Sequence, residues 1–162
     1  MSADAPVAPT VTRTPTAAPT TPVIAAPLGT WRYTLYLPHS PLAPSVARAT
    51  VRTVLRVHGP ISLTDRAELL VSELASNAFR YARGPASLRL AWRADVLRLS
   101  VRDTSPELPA PSRTGPWDLT QEGGRGLCLI GEYADRWSCY RLAGRGRQAR
   151  GSGKVVWCEL IA

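Results

Sequence analysis

The sequence predicts an α+β protein, a two-layer α/β sandwich in which a mixed, mostly antiparallel sheet carries its helices on one face. Short runs of apolar–polar alternation recur, in WRYTLYL, SLRLAW, VLRLSV, WSCYRL and KVVWCEL. Between them lie segments whose apolar residues return every three or four positions. The resulting order is strand, helix, helix, strand, strand, long loop, helix, strand, strand, and strands in runs with helices grouped apart form separate layers. At 162 residues, 44% of them hydrophobic, the chain is long enough for one domain with a real core and too short for two.

The first strand is predicted at 31 to 37. A helix follows from about Ala43 to His58, with Val46, Ala47, Val51, Val54 and Leu55 on one stripe and Gly59-Pro60 as its stop. The second helix begins near Ser62, where Ser62 and Asp65 fit a capping box, and runs to about residue 82. Its apolar face holds Leu63, Ala67, Leu70, Val71, Leu74 and Ala78, and Arg83-Gly84-Pro85 ends it. SLRLAW and VLRLSV are two strands joined by the turn Arg93-Ala94-Asp95. Residues 104 to 124 hold four prolines, several glycines and no period, which marks a long loop of the kind that is functional or disordered. GLCLIGEYA reads as a short helix, and WSCYRL and KVVWCEL as the last two strands. Between them AGRGRQARGSGK, with Arg145, Arg147, Arg150 and Lys154, reads as a mobile hairpin loop rather than an RNA-binding tract.

Residues 1–29 contain six Pro, seven Ala and six Thr but only two charged side chains, too little patterned apolar surface to offset the entropy of ordering. They are expected to form a disordered tail ahead of one domain at 30–162. Twenty Lys plus Arg against twelve Asp plus Glu give a net charge of +8, which suits an anionic partner such as a nucleotide, a nucleic acid or an acidic protein surface. No single basic run resembles a DNA-reading helix. Cys128, Cys139 and Cys158 have neither C-x-x-C spacing nor a histidine nearby, so they read as reduced thiols rather than zinc ligands or a disulfide framework. No signal-peptide pattern and no apolar run of roughly 18 residues is present, so a cytoplasmic protein is expected. Four of the five tryptophans fall in strand runs and are expected in the core; Trp117 lies in the long loop.

Three stretches can carry chemistry. In ELASNAFRYA, Glu73 and Asn77 stand four apart on one helix face beside the core positions Leu74 and Ala78. A neutral amide oxygen can ligate a hard cation such as Mg²⁺, and a carboxylate can take a proton or orient a hydroxyl. An isolated E-x-x-x-N is more often a solvated pair, so the downstream motifs give it weight. In VRDTSPELP, Asp103 ends a strand at the sheet's rim with Thr104 and Ser105 beside it, where a carboxylate can accept a hydrogen bond from an exocyclic amine or simply initiate a turn. In EGGRGLCLI, Gly123, Gly124 and Gly126 mark a loop-to-helix junction whose backbone N–H groups can approach phosphate oxygens, with Arg125 as a nearby cation. The same glycines would also serve a plain helix start. Neither a dinucleotide fingerprint nor a P-loop is present.

Taken in order, LLVSELASNAFRYA, VRDTSPELP, GGRGLCLIGEYADRW and GKVVWCEL closely resemble the anti-sigma regulatory factor branch of the GHKL ATPases, the serine/threonine kinase-like relatives of histidine kinases, gyrase B and MutL. The resemblance covers residues 31 to 162. It implies a histidine-kinase-like ATP-binding fold and a bacterial transcription regulator that binds ATP with Mg²⁺ and phosphorylates or sequesters a protein partner. It further implies that Glu73 is the catalytic base and Asn77 the magnesium ligand. Asp103, with Ser105 beside it, would read the adenine amine, and Gly124, Arg125, Gly126 and Leu127 would close over the phosphates. Its partners are sigma factors and STAS-domain anti-sigma-factor antagonists; a homodimer is compatible with it. A non-catalytic nucleotide-dependent binding module and, more remotely, a basic nucleic-acid-binding domain are the competing readings. The chain departs from the family pattern at Tyr81, where His is common, at Ser105, which replaces a glycine, and at Val155, where a strand Thr often contacts adenine.

Overall fold

The computed structural model describes residues 29–109, 125–142 and 153–162. Five strands form one sheet, β1 (Trp31–Leu37), β2 (Ala86–Arg93), β3 (Val96–Asp103), β4 (Arg136–Arg141) and β5 (Lys154–Ile161), in the order β1-β2-β3-β5-β4. All four pairings are antiparallel, so the described sheet contains no parallel member. Helices α1 (Ala43–His58), α2 (Thr64–Tyr81) and α3 (Arg125–Tyr133) form the second layer. The predicted tail to residue 28, the loop portion 110–124 with Trp117 and Gly124, and the Arg-rich segment 143–152 lie outside the described residues.

Alternation along the strands produces the two faces of the sheet. Leu88, Leu90 and Trp92 of β2 pair with Val101, Leu99 and Leu97 of β3, which pair in turn with Val156, Cys158 and Leu160 of β5. All nine are buried, and they meet Ala67, Leu70, Val71, Leu74 and Ala78 of α2 in one core. Burying each leucine contributes about 1.5–3 kcal/mol, so this face dominates the stability of the fold. The remaining strand positions form the other face, where Arg98 stacks its guanidinium 3.7 Å over Trp157. Trp157 is thus outside the core, whereas Trp92 is in it and Trp31 and Trp137 pack against it. Deep in the core, burial pushes the Cys158 thiol up to about 12, assisted by the neighbouring Glu159.

The helix boundaries show where local signals yield to packing. α1 buries Ala43, Ala47, Val51, Val54 and Leu55, while Val46, expected on that stripe, is 48% exposed. The capping box at Ser62–Asp65 does not form. A 3₁₀ turn at Ile61–Leu63 precedes α2, whose N-cap is Leu63 with no side-chain hydrogen bond, and Asp65 acts through the helix dipole in the first turn. The helix ends at Tyr81, with Ala82 already extended. The arms of α1 and α2 are joined by a two-pronged pair, Arg52 Nε and Nη2 each 2.6 Å from a Glu68 oxygen.

The β2–β3 hairpin turns on two residues, Ala94 and Asp95, both with positive φ (48° and 59°). Left-handed backbone at both centres suits the twist of a two-residue hairpin, but alanine gains nothing there. Ala94→Asn is expected to stabilise the domain by about 0.5–1 kcal/mol, read as a higher urea midpoint at an unchanged slope.

One carboxylate ties the end of α3 to the sheet. Asp135 Oδ2 accepts the Ile161 backbone N–H (2.8 Å) and Arg66 Nη2 (3.1 Å), while Arg66 also donates to the Tyr133 carbonyl. The Ile161 N–H first, then Arg66, hold the Asp135 carboxyl below its ordinary value. A lowered carboxyl contributes stability above the unfolded-state value and loses it as pH falls through the folded one. The stability gap between wild type and Asp135→Asn is therefore expected to be full above roughly pH 4 and to shrink below it in urea titrations.

Candidate functional site

The site lies where α2, α3 and the ends of β3 and β5 meet. The core-facing stripe of α2 runs through Leu70, Leu74 and Ala78; one step around the helix, Glu73 and Asn77 sit half-buried on the edge that turns toward α3. The first turn of α3 closes on that edge. A Cβ placed on Gly126 would stand 2.7 Å from Glu73 Oε2 and 3.3–3.4 Å from the Asn77 amide atoms, so both polar groups point at one backbone position. The absence of a side chain at Gly126 makes this approach possible. Two of the sequence-predicted motifs, represented here by Asn77 and Gly126, are thereby brought into one place.

Between these elements opens a cavity of about 230 Å³. Asn77 and Tyr81 of α2, Gly126 and Leu127 of α3, and Lys154 and Val156 of β5 line it, together with Glu107, Leu108 and Pro109 of the segment after β3. Leu127 and Val156 are buried and supply apolar walls. Of the phosphate-side residues predicted, Gly126 and Leu127 are placed here; Gly124 falls outside the described residues, and Arg125 is placed only as the first residue of α3.

Asp103 differs from the expectation. Rather than standing at an open rim, it is buried, and Oδ1 accepts the Ser105 backbone N–H at 2.8 Å and the Lys154 ammonium at 3.1 Å. Ser105 is buried as well, its hydroxyl accepting the Glu107 N–H, so residues 103–107 fold into consecutive tight turns. Asp103 is absent from the cavity lining, whereas Lys154 is part of it. Both side chains of the pair are only 2% exposed.

Lys154 is a cavity-lining residue that the sequence reading did not single out. Counted with the Arg-rich loop and also as the start of the strand run KVVWCEL, it is the first residue of β5, directly opposite Asp103 in the β3–β5 register. The neighbouring Val155 pairs with Arg102 and Tyr140 and therefore belongs to the opposite face of the sheet, so the strand position facing the cavity is Lys154, not Val155. One signal could have singled it out. Lys154 is the only lysine in a chain with nineteen arginines. Gly153 before it allows the close pairing, because any Cβ there would collide with the Asp103 carbonyl oxygen.

Among the described residues no group of three or more His, Cys, Asp or Glu could form a metal centre, and no helix is long and apolar enough to cross a membrane. All three cysteines are free. The chain is 37% identical over 76 residues to the uncharacterized protein SCO4941 of Streptomyces coelicolor, a match that spans 46% of this chain and 64% of that protein. The family model of the histidine kinase-like ATPase domain matches residues 38–152, which takes in α1, α2, β2, β3, α3 and β4. With an antiparallel sheet under a helical layer, a Glu–Asn pair on α2 and a glycine of α3 set against it, the chain belongs to the histidine kinase-like ATPase domain family.

Proposed function

We propose that this chain is a cytoplasmic ATP-binding regulatory protein of the anti-sigma-factor type, a serine/threonine protein kinase-like domain that binds Mg-ATP in the cavity and phosphorylates or sequesters a protein partner. The partner class is a sigma factor or a STAS-domain antagonist. What supports this reading is the convergence of Glu73 and Asn77 on Gly126, which sets a carboxylate and a neutral amide beside the N-terminal turn of α3. The donor set fits magnesium, which takes one or two protein oxygens and completes its octahedron with phosphates and water. Asn77 Oδ1 would hold the ion, which when bound neutralises charge on the transferred phosphoryl group.

In the kinase reaction Glu73 accepts the proton of the acceptor hydroxyl as that oxygen bonds to the γ-phosphorus and the bond to ADP breaks. The backbone N–H groups at the start of α3 face the developing charge, and positioning with electrostatics supplies most of the acceleration. The experiment is phosphate transfer from labelled ATP to candidate antagonists, beside calorimetry with Mg-ADP. Asn77→Ala is expected to lose nucleotide binding, and Glu73→Ala to keep it while losing transfer. Transfer that survives in Glu73→Ala removes the assigned base; binding without transfer to any partner makes the protein a nucleotide-dependent sequestering module.

A further inference from the structure

We propose that the face of the sheet opposite the helices binds a single-stranded nucleic acid, at a surface separate from the cavity. The row Arg32–Ala91–Arg98–Glu159–Arg136 crosses all five strands there, because each residue is the register partner of the next. The strand period of two adds Arg89 and Arg93 of β2 and Arg102 of β3 to the same face. Six arginines therefore share it, and Glu159 is the one carboxylate among its strand positions. Glu159 is already engaged by Arg98 at 2.9 Å and stands 4.0 Å from Arg136. The guanidinium groups of Arg32, Arg89, Arg93 and Arg102 are exposed and have no partner among the described residues. Like charges gathered in this way repel one another, and a bound polyanion relieves that repulsion.

The chemistry of the face selects the polyanion. Every cation on it is a guanidinium, whose planar fork grips phosphate oxygens two at a time. Its centre holds Ala91, Ser100 and a Trp157 covered by the Arg98 guanidinium, so it lacks the apolar anchor that centres a protein–protein interface. What it exposes instead are two phenol rings, Tyr36 (81% exposed) and Tyr140 (49%), at the two ends of the row Tyr36–Ser87–Arg102–Val155–Tyr140. Open rings with arginines between them make a stacking platform, on which bases lie against the rings while the cations track the backbone. A duplex keeps its bases stacked inside and has no use for the tyrosines. Toward the other end of the strands a cavity of about 580 Å³ opens among Arg32, Arg93, Arg98 and Arg136, a size that holds a small ligand such as one nucleotide unit.

Fluorescence anisotropy of the full chain with labelled oligothymidylate and oligouridylate of about twelve nucleotides, over a salt series, tests the assignment. Both are expected to bind at low salt, with log K falling linearly as log salt rises. Arg32→Thr combined with Arg89→Thr is expected to weaken binding about tenfold and to flatten the salt slope by about 1.4, the share of two phosphate contacts to a single strand. Tyr36→Ala is expected to weaken it about tenfold at an unchanged slope, since stacking displaces no counterion. Mg-ATP affinity and the thermal midpoint should stay at their wild-type values in both variants, because these side chains are exposed on the face away from the cavity. No binding at low salt, or binding that the arginine variant leaves intact, overturns the proposal. A duplex of equal length or polyglutamate bound as tightly as the single strands also overturns it, the latter in favour of an acidic protein partner.

Discussion

Gly126→Ala is expected to lower Mg-ATP affinity by about tenfold to a hundredfold while shifting the thermal midpoint little. The new methyl group would stand 2.7 Å from Glu73 Oε2, closer than a carbon and an oxygen can rest, and 3.3–3.4 Å from the Asn77 amide. The carboxylate sits at the end of a flexible side chain and can swing aside at little cost to folding. Alanine also favours helix over glycine by about 1 kcal/mol, which offsets the remaining crowding. Affinity has no such escape, because the methyl group also crowds the amide of Asn77, the proposed magnesium ligand, and disturbing how a metal ligand is oriented commonly costs about 10–100-fold in metal affinity. Gly131→Ala in the same helix is the control. Its Cβ meets only Trp137 Nε1, at 3.5 Å, an ordinary contact, so affinity there should stay at the wild-type value. Calorimetry with Mg-ATP and a melting curve on both variants separate the outcomes; equal losses of affinity and midpoint in Gly126→Ala would mean that α3 packing, not the site, was damaged.

The parts of this architecture that were legible in the sequence are those encoded by local period. The stripe of α2 from Ala67 to Ala78 is spaced for one helix face and is buried as that spacing predicts, which in turn fixes where Glu73 and Asn77 can point. The strand runs around the β2–β3 hairpin were likewise found to within a residue or two. Where the reading failed, the decisive partner was distant or the margin was one residue. Lys154 follows a run of Gly and Arg that resembles a solvated loop, and the carboxylate that makes its burial tolerable lies 51 positions earlier. Val155 was named as the strand position where a family Thr often contacts adenine, whereas Lys154 and Val156 line the cavity, since a strand's period of two exchanges faces with a step of one residue. Ser62 lost its capping role to a 3₁₀ turn that shifted the start of α2 by two residues, a choice set by how the α1–α2 connection packs rather than by residue type.

Lys154→Met is expected to destabilise the domain by about 3–5 kcal/mol, the usual cost of leaving one member of a buried ion pair without the other. Asp103 would keep only the Ser105 N–H at Oδ1, inside a wall where both side chains are 2% exposed. Against a typical domain stability of about 5–15 kcal/mol, that loss should be plain in a urea titration. The double variant Asp103→Asn with Lys154→Met makes both positions neutral at similar volume, and most of the lost stability should return, since replacing a buried pair as a unit is often neutral. Non-additivity of this kind is the signature of direct coupling between the two side chains; a double variant as unstable as the sum of the single ones would place their roles apart. The recovery also bears on why the chain keeps a pair at all. If neutral side chains fold as well, stability is not what retains the only lysine at this wall.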